Sequence, residues 1–132
     1  MDVMIPDEGL EASLNLLRAS TLTYHLFTNN ITVDKSTVLT DFLEATVAGY
    51  AAISLVNGDW GAPTVTAHIA SIVAPLIVFT CTSPGTQDCY GYYVTDVVGG
   101  LLAAAKFDSG PIALTAAGIP VIPILGTSSR FG

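Results

Sequence analysis

Apolar positions in this chain change their spacing once, near residue 20. Before it, Leu10, Leu14 and Leu17 recur at helical intervals. Pro6 suits a first helical position, Asp7 and Glu8 complement the positive end of the helix dipole, and Arg18 sits at the opposite end. Gly9 weakens such a helix by up to about 1 kcal/mol relative to alanine. The pattern predicts one short helix over 6–19.

After that the period is two. Leu22, Tyr24 and Leu26 fall on one face of a strand, with Thr23, His25 and Phe27 on the other. Asn29-Asn30 punctuates its end. Residues 36–45 read as a loop in which Thr40, Asp41 and Glu44 can cap a helical turn. A strand is expected over 50–55, then a turn-rich loop around Trp60. Residues 65–73 and 77–82 are rich in β-branched side chains and are separated by Pro75. Residues 89–96 alternate again, and Gly99-Gly100 precedes a strand over 101–107. Ser109-Gly110-Pro111 ends that strand, and 119–125 forms the last. Pro120 and Pro123 each remove a ladder donor, which assigns that strand to an edge.

Short strands with turn signals between them predict a mainly β fold, an antiparallel β-sandwich or barrel-like domain with a short N-terminal helix. The expected organisation is an N-terminal helical segment, 1–20, leading an antiparallel β domain, 21–132, within one compact domain.

Composition sharpens this picture. Apolar residues make up 51% of the 132, while charged residues make up 11%, well below a typical soluble domain. That pairing argues against disorder. Four basic residues against eleven acidic ones give a net charge of −7, which argues against nucleic-acid and anionic-lipid partners. Mean hydropathy is high, at +0.61. Yet the longest apolar run, 69–79, is too short to span a bilayer and is interrupted by Ser71 and Pro75. Asp2, Asp7 and Glu8 stand where a signal peptide carries positive charge, so export by that route is not expected. A chain with so few charges is most simply explained if other chains cover part of its apolar surface.

Chemistry-bearing residues are few. His25 and His68 each lie inside an expected strand with no acid or nucleophile beside them in sequence, and a structural or surface role is expected for both. No Gly-x-Ser-x-Gly elbow, phosphate-binding glycine loop or His-Glu-x-x-His is present. If the strands around Cys81 and Cys89 pair as a hairpin, the two thiols sit nearly opposite each other. Free thiols are the first expectation, a disulfide the second, and metal ligation the last, because the Cys-x7-Cys spacing matches no common zinc site. Asp59, Asp88 and Asp108 match no calcium loop. Asn30-Ile31-Thr32 fits a glycosylation sequon, which carries no weight without a secretory route. The reading is a non-enzyme with no catalytic residues, no metal and no cofactor.

The aromatic residues point elsewhere. Tyr90 and Tyr92 share one strand face and Tyr93 the other, and tyrosine suits interfaces as well as cross-strand packing. Leu10, Leu14, Trp60, Tyr90 and Tyr92 are therefore the candidate interface residues.

Four stretches carry a resemblance. They are Ile5-Pro6-Asp7-Glu8-Gly9, Tyr24-His25-Leu26-Phe27-Thr28-Asn29-Asn30-Ile31-Thr32, Phe42-Leu43-Glu44-Ala45 with Gly49-Tyr50-Ala51-Ala52, and Tyr90-Gly91-Tyr92-Tyr93-Val94-Thr95-Asp96. In this order they resemble a group of small tailed-bacteriophage virion structural proteins, over nearly the whole chain. The resemblance implies a virion component with no catalytic residues to transfer. A capsid decoration (cement) protein fits best, bound to the major capsid protein on the capsid exterior as a homodimer or homotrimer. Its rivals are a tail, baseplate or fibre-associated protein, and a host-surface carbohydrate binder stacking sugars on Trp60 and Tyr50. A small hydrolase using His25 or His68 with Cys81 or Cys89 ranks below both.

Overall fold

The computed structural model describes residues 6–73, 75–122 and 124–128. Pro123 and the side chains of Leu17 and Arg18 lie outside the described residues. The elements are helix α1 (Asp7–Ala19) and strands β1 (Leu22–Phe27), β2 (Ile53–Leu55), β3 (Thr64–Thr66), β4 (Ile69–Val73) and β5 (Ile77–Phe79). Then follow β6 (Gln87–Cys89), β7 (Gly91–Thr95), β8 (Leu101–Lys106), β9 (Ile112–Leu114), β10 (Ile119–Val121) and β11 (Ile124–Ser128). The fold is mainly β, with antiparallel sheets and one N-terminal helix, as the periodicity predicts. It is not a closed barrel.

The chain forms two compact units, and the helix does not stand apart from the strands. One unit takes Met1–Thr21, Val56–Leu76 and Ile122–Gly132, and the other takes Leu22–Leu55 and Ile77–Val121. The boundary expected after residue 20 is thus replaced by an interleaved division.

In the first unit, α1 packs on the antiparallel sheet β11-β4-β3. Helical spacing puts Leu10 and Leu14 on one stripe, and both are buried, at 0% and 1% exposure. On β4, Ala70 and Ile72 are buried, while Ile69 and Val73 are exposed. The continuous strand expected over 65–73 is instead a hairpin. Its two loop residues, Ala67 and His68, both adopt positive φ (51° and 61°), and Thr66 faces Ile69 across the turn.

The second unit is built on the sheet β2-β1-β7-β8. Here β1 and β7 are the inner strands, with Tyr24 opposite Val94 and His25 opposite Tyr93. Leu22, Tyr24, Leu26 and Val94 are buried on one face. On the other, Phe27 and Tyr93 form a buried cluster with Phe42, joined by Leu101 and Ala104 from β8. Gly91 is required in β7, because a Cβ there would meet the Ala105 carbonyl and Phe27. Two small ladders complete the unit, β5 with β10 and β6 with β9. Pro120 lies in β10, whose only described partner is β5, as its missing donor requires.

The cysteine hairpin does not form. Cys89 in β6 faces Ile112 in β9, and β5, which leads to Cys81, pairs with β10. Both cysteines are buried and are free thiols in this structure.

Candidate functional site

Strand alternation puts His25, Tyr93 and Thr95 on the same face of the second unit's sheet. A fourth side chain comes from outside the regular strands. The backbone of 43–45 runs beside the end of β1, with Thr28 N–H donating to the Leu43 carbonyl and Ala45 N–H to that of Leu26. This bridge seats Glu44 opposite Phe27 and brings its carboxylate to His25.

The result is a continuous hydrogen-bonded chain. His25 Nδ1 lies 2.7 Å from Glu44 Oε2, and His25 Nε2 lies 2.9 Å from Thr95 Oγ1. An ionised carboxylate only accepts, so Nδ1 carries a proton. In the neutral ring Nε2 accepts from the Thr95 hydroxyl, and in the imidazolium it donates to it. The Tyr50 hydroxyl donates to the same Glu44 Oε2 at 2.8 Å and accepts from Leu26 N–H at 3.0 Å. Burial, and then the hydrogen bond and charge of Glu44, raise the Tyr50 phenol far above its ordinary value, despite an opposing bond from Leu26.

Three rings stack beside this chain. His25 lies over Tyr93 with centroids 4.6 Å apart and planes 10° apart, and Tyr93 over Phe42 at 4.6 Å and 15°. Burial, with Glu44 nearby, pushes the Tyr93 phenol up to about 12. The stack, Glu44 and Thr95 line a cleft of about 420 Å³ together with Leu39, Thr40 and Gly99. Near these last residues in sequence, Val38, Leu43, Val97 and Val98 are exposed.

Carboxylate, imidazole and hydroxyl in this order form the relay used for acyl transfer. Such chemistry also needs donors aimed at the developing oxyanion. Three backbone amides on the turn after β7 are committed elsewhere. Val98 and Gly100 N–H donate to Asp96 Oδ1, and Gly99 N–H donates to the Asp96 carbonyl. Thr95 itself is only 7% exposed. No cluster of metal-binding side chains occurs among the described residues.

The interface candidates divide. Leu10 and Leu14 are core residues of the first unit with no surface to offer, because the helix buries its apolar stripe on its own sheet. Trp60 is only 5% exposed, which removes it as an interface residue and as a sugar-stacking platform. Tyr50 is half-buried, with its hydroxyl engaged. Tyr90 and Tyr92 are half-buried but do not share a face as expected: Tyr90 lies between β6 and β7 and packs against the Phe27, Phe42 and Tyr93 cluster, with the Lys106 ammonium 6.0 Å from its ring centre, while Tyr92 packs against Tyr24. Burial, with Asp88 and Cys81 contributing, pushes the Cys89 thiol up to about 11. His68 is exposed and lies 3.2 Å from Asp7.

Glu44, Thr95 and Phe42 are the site residues that sequence reasoning missed. A partial signal was present, since all three lie inside the stretches that carry the resemblance. No protein family, curated protein or solved structure matches this chain. No helix among the described residues is long and apolar enough to cross a membrane.

Proposed function

We propose that this chain is a non-enzymatic structural protein of a tailed-bacteriophage virion, a capsid decoration protein that binds the major capsid protein as a homodimer or homotrimer. The observation that carries the reading is apolar surface. Leu16, Leu43, Val97 and Val98 are 74%, 62%, 77% and 87% exposed on a chain with only 11% charged residues. Large apolar side chains left exposed on both units, with few charges among them, suit a chain whose surface is covered by other molecules. The two stretches of most specific resemblance, around His25 and Tyr93, are adjacent inner strands of one sheet, which is compatible with that reading. The committed amides beside Thr95 favour a binding role over acyl transfer.

Mechanistically, a protein that binds only the assembled lattice shifts the equilibrium towards the intact shell by mass action. Copy number in purified particles tests the reading. A number that scales with the capsid lattice supports it. A fixed few copies at one vertex assigns the chain to the tail or baseplate, and absence from particles ends the virion reading. Nothing favours the carbohydrate binder once Trp60 is buried.

A further inference from the structure

We infer that the cleft floored by Glu44, His25 and Thr95 is a socket for an arginine side chain presented by a protein partner. The inference rests on reading the chain as a protein that assembles with others, since the occupant belongs to a neighbour. Its argument comes from charge and shape.

Among the described residues, Glu44 is the one acidic side chain lining the cleft. Its carboxylate receives hydrogen bonds from His25 and Tyr50, and no lysine or arginine pairs with it among the described residues. The side chain is 38% exposed and lines the cleft, where the only described group able to neutralise it is His25 when protonated. Asp41 and Asp96 stand beside the lining residues Thr40 and Thr95 in sequence. Each spends carboxylate oxygens on backbone N–H groups, Asp41 on Val38 and Asp96 on Val98 and Gly100, but keeps its negative charge. The local field therefore selects a cation.

The walls choose among cations. Leu39, 38% exposed, gives an apolar side against which a methylene stem packs, with only the edges of Phe42 and Tyr93 beside it. A guanidinium is planar and weakly hydrated, and it meets a carboxylate through a two-pronged fork, so it loses less on entering an apolar cleft than an ammonium does. A neutral sugar finds no platform on Tyr93, whose two faces are covered by His25 and Phe42. The exposed valines and leucines near the lining residues in sequence then meet apolar residues flanking the incoming arginine.

The test is an NMR titration of the full chain with N-acetyl-arginine amide, with the neutral isostere N-acetyl-citrulline amide as comparison. The expected result is saturable shifts at His25, Thr95 and Gly99, with a dissociation constant on the order of millimolar for so small a probe. Citrulline amide should give none. Glu44→Gln should weaken binding at least tenfold, and Asp108→Asn should leave it unchanged. Leu39→Lys, an exposed change that installs a resident cation in the lining, should weaken it as strongly and keeps the test decisive if Glu44→Gln fails to fold. Equal shifts from both amides, no saturation, or binding unaffected by these two variants would overturn the socket. Such a failure, with the wild-type protein still found on particles, leaves the virion reading standing. Probe binding by a protein absent from particles does the reverse.

Discussion

His25 and Glu44, nineteen residues apart in sequence, share a 2.7 Å hydrogen bond because 43–45 runs beside the end of β1. Glu44 Oε2 also accepts from Tyr50, so one oxygen organises a strand residue and a loop residue. Glu44→Ala leaves the His25 Nδ1–H and the Tyr50 hydroxyl without that acceptor. A loss of about 1–3 kcal/mol is expected, less than for a fully buried group because Glu44 is partly exposed. Glu44→Gln keeps an acceptor oxygen and should cost less than half as much. Urea denaturation of both variants decides, and equal losses would sink this account of the bond.

Alkali should destabilise the protein in a defined window. Tyr93 is raised from 10.0 to about 12 and Cys89 from 9.0 to about 11, both chiefly by burial. A group whose folded value lies above its unfolded one contributes stability that is complete below the unfolded value and is lost as pH rises through the folded one. The urea midpoint should therefore hold up to about pH 9 and fall between about pH 9 and 12. Tyr24, Tyr50 and Tyr92 are raised in the same sense and add to the fall. Native protein at pH 8 should also react slowly with a thiol reagent at Cys89, because the thiolate forms only when the site opens. A flat midpoint across the window contradicts the assignment.

The helix leucines now predict a folding effect. Leu14→Ala should cost about 2–5 kcal/mol, the range for a buried leucine. Leu16→Ala, at a position 74% exposed, should fall within about 0.5 kcal/mol of the parent. Thermal melts of the two variants give the comparison. Deleting residues 1–19 should unfold the first unit, because α1 covers Ala70 and Ile72 of β4. A truncated protein that melts like the parent would return the helix to the role of a detachable contact arm.

Much of the fold was legible, because simple periods mark elements packed on one face. Leu10 and Leu14 announced the helix, and Leu22, Tyr24 and Leu26 announced β1 and its buried side. What periodicity cannot carry is pairing across long separations. Nothing near Cys89 indicates that β6 faces β9 rather than the strand leading to Cys81. The turn at Ala67-His68 was invisible because it carries none of the glycine, asparagine or aspartate that marks two-residue hairpin turns, so β3 and β4 read as one strand. The helix stripe was assigned to a partner because a sequence shows that a face is apolar, not which surface covers it. The His25 site failed to stand out for a related reason: Glu44 and Thr95 become neighbours only through the 43–45 bridge and the β1–β7 register.

That unusual turn is itself testable. A non-glycine residue in the left-handed region costs roughly 1–2 kcal/mol, and Ala67 and His68 are both there. Asparagine followed by glycine is the preferred pair for a two-residue hairpin of this hand. The double change Ala67→Asn/His68→Gly should raise stability by about 1–2 kcal/mol, or a few degrees in Tm. It forfeits the His68–Asp7 contact, which is solvent-exposed and worth at most about 1 kcal/mol. A lower Tm would show that the hairpin tolerates its native residues without strain.

The proposed self-association can be probed by a single edge substitution. Strand β8 lies at one end of the four-stranded sheet, so one side of its backbone has no strand partner among the described residues. Proteins usually blunt such edges with proline, bulges or charges. Over Leu101–Lys106 the only charge is the terminal Lys106, held by Asn30 at 2.7 Å, and the register irregularity lies at the Thr95 end. The opposite end strand, β2, has only three residues and offers a shorter template. Leu102, 44% exposed and skipped in the register at the start of β8, is the natural place for a charge. Leu102→Lys should shift the protein towards monomer in sedimentation velocity, while far-UV circular dichroism stays that of the parent. If the variant associates as strongly as the parent, association uses another surface, with Val97 and Val98 at the neighbouring turn next in line for substitution.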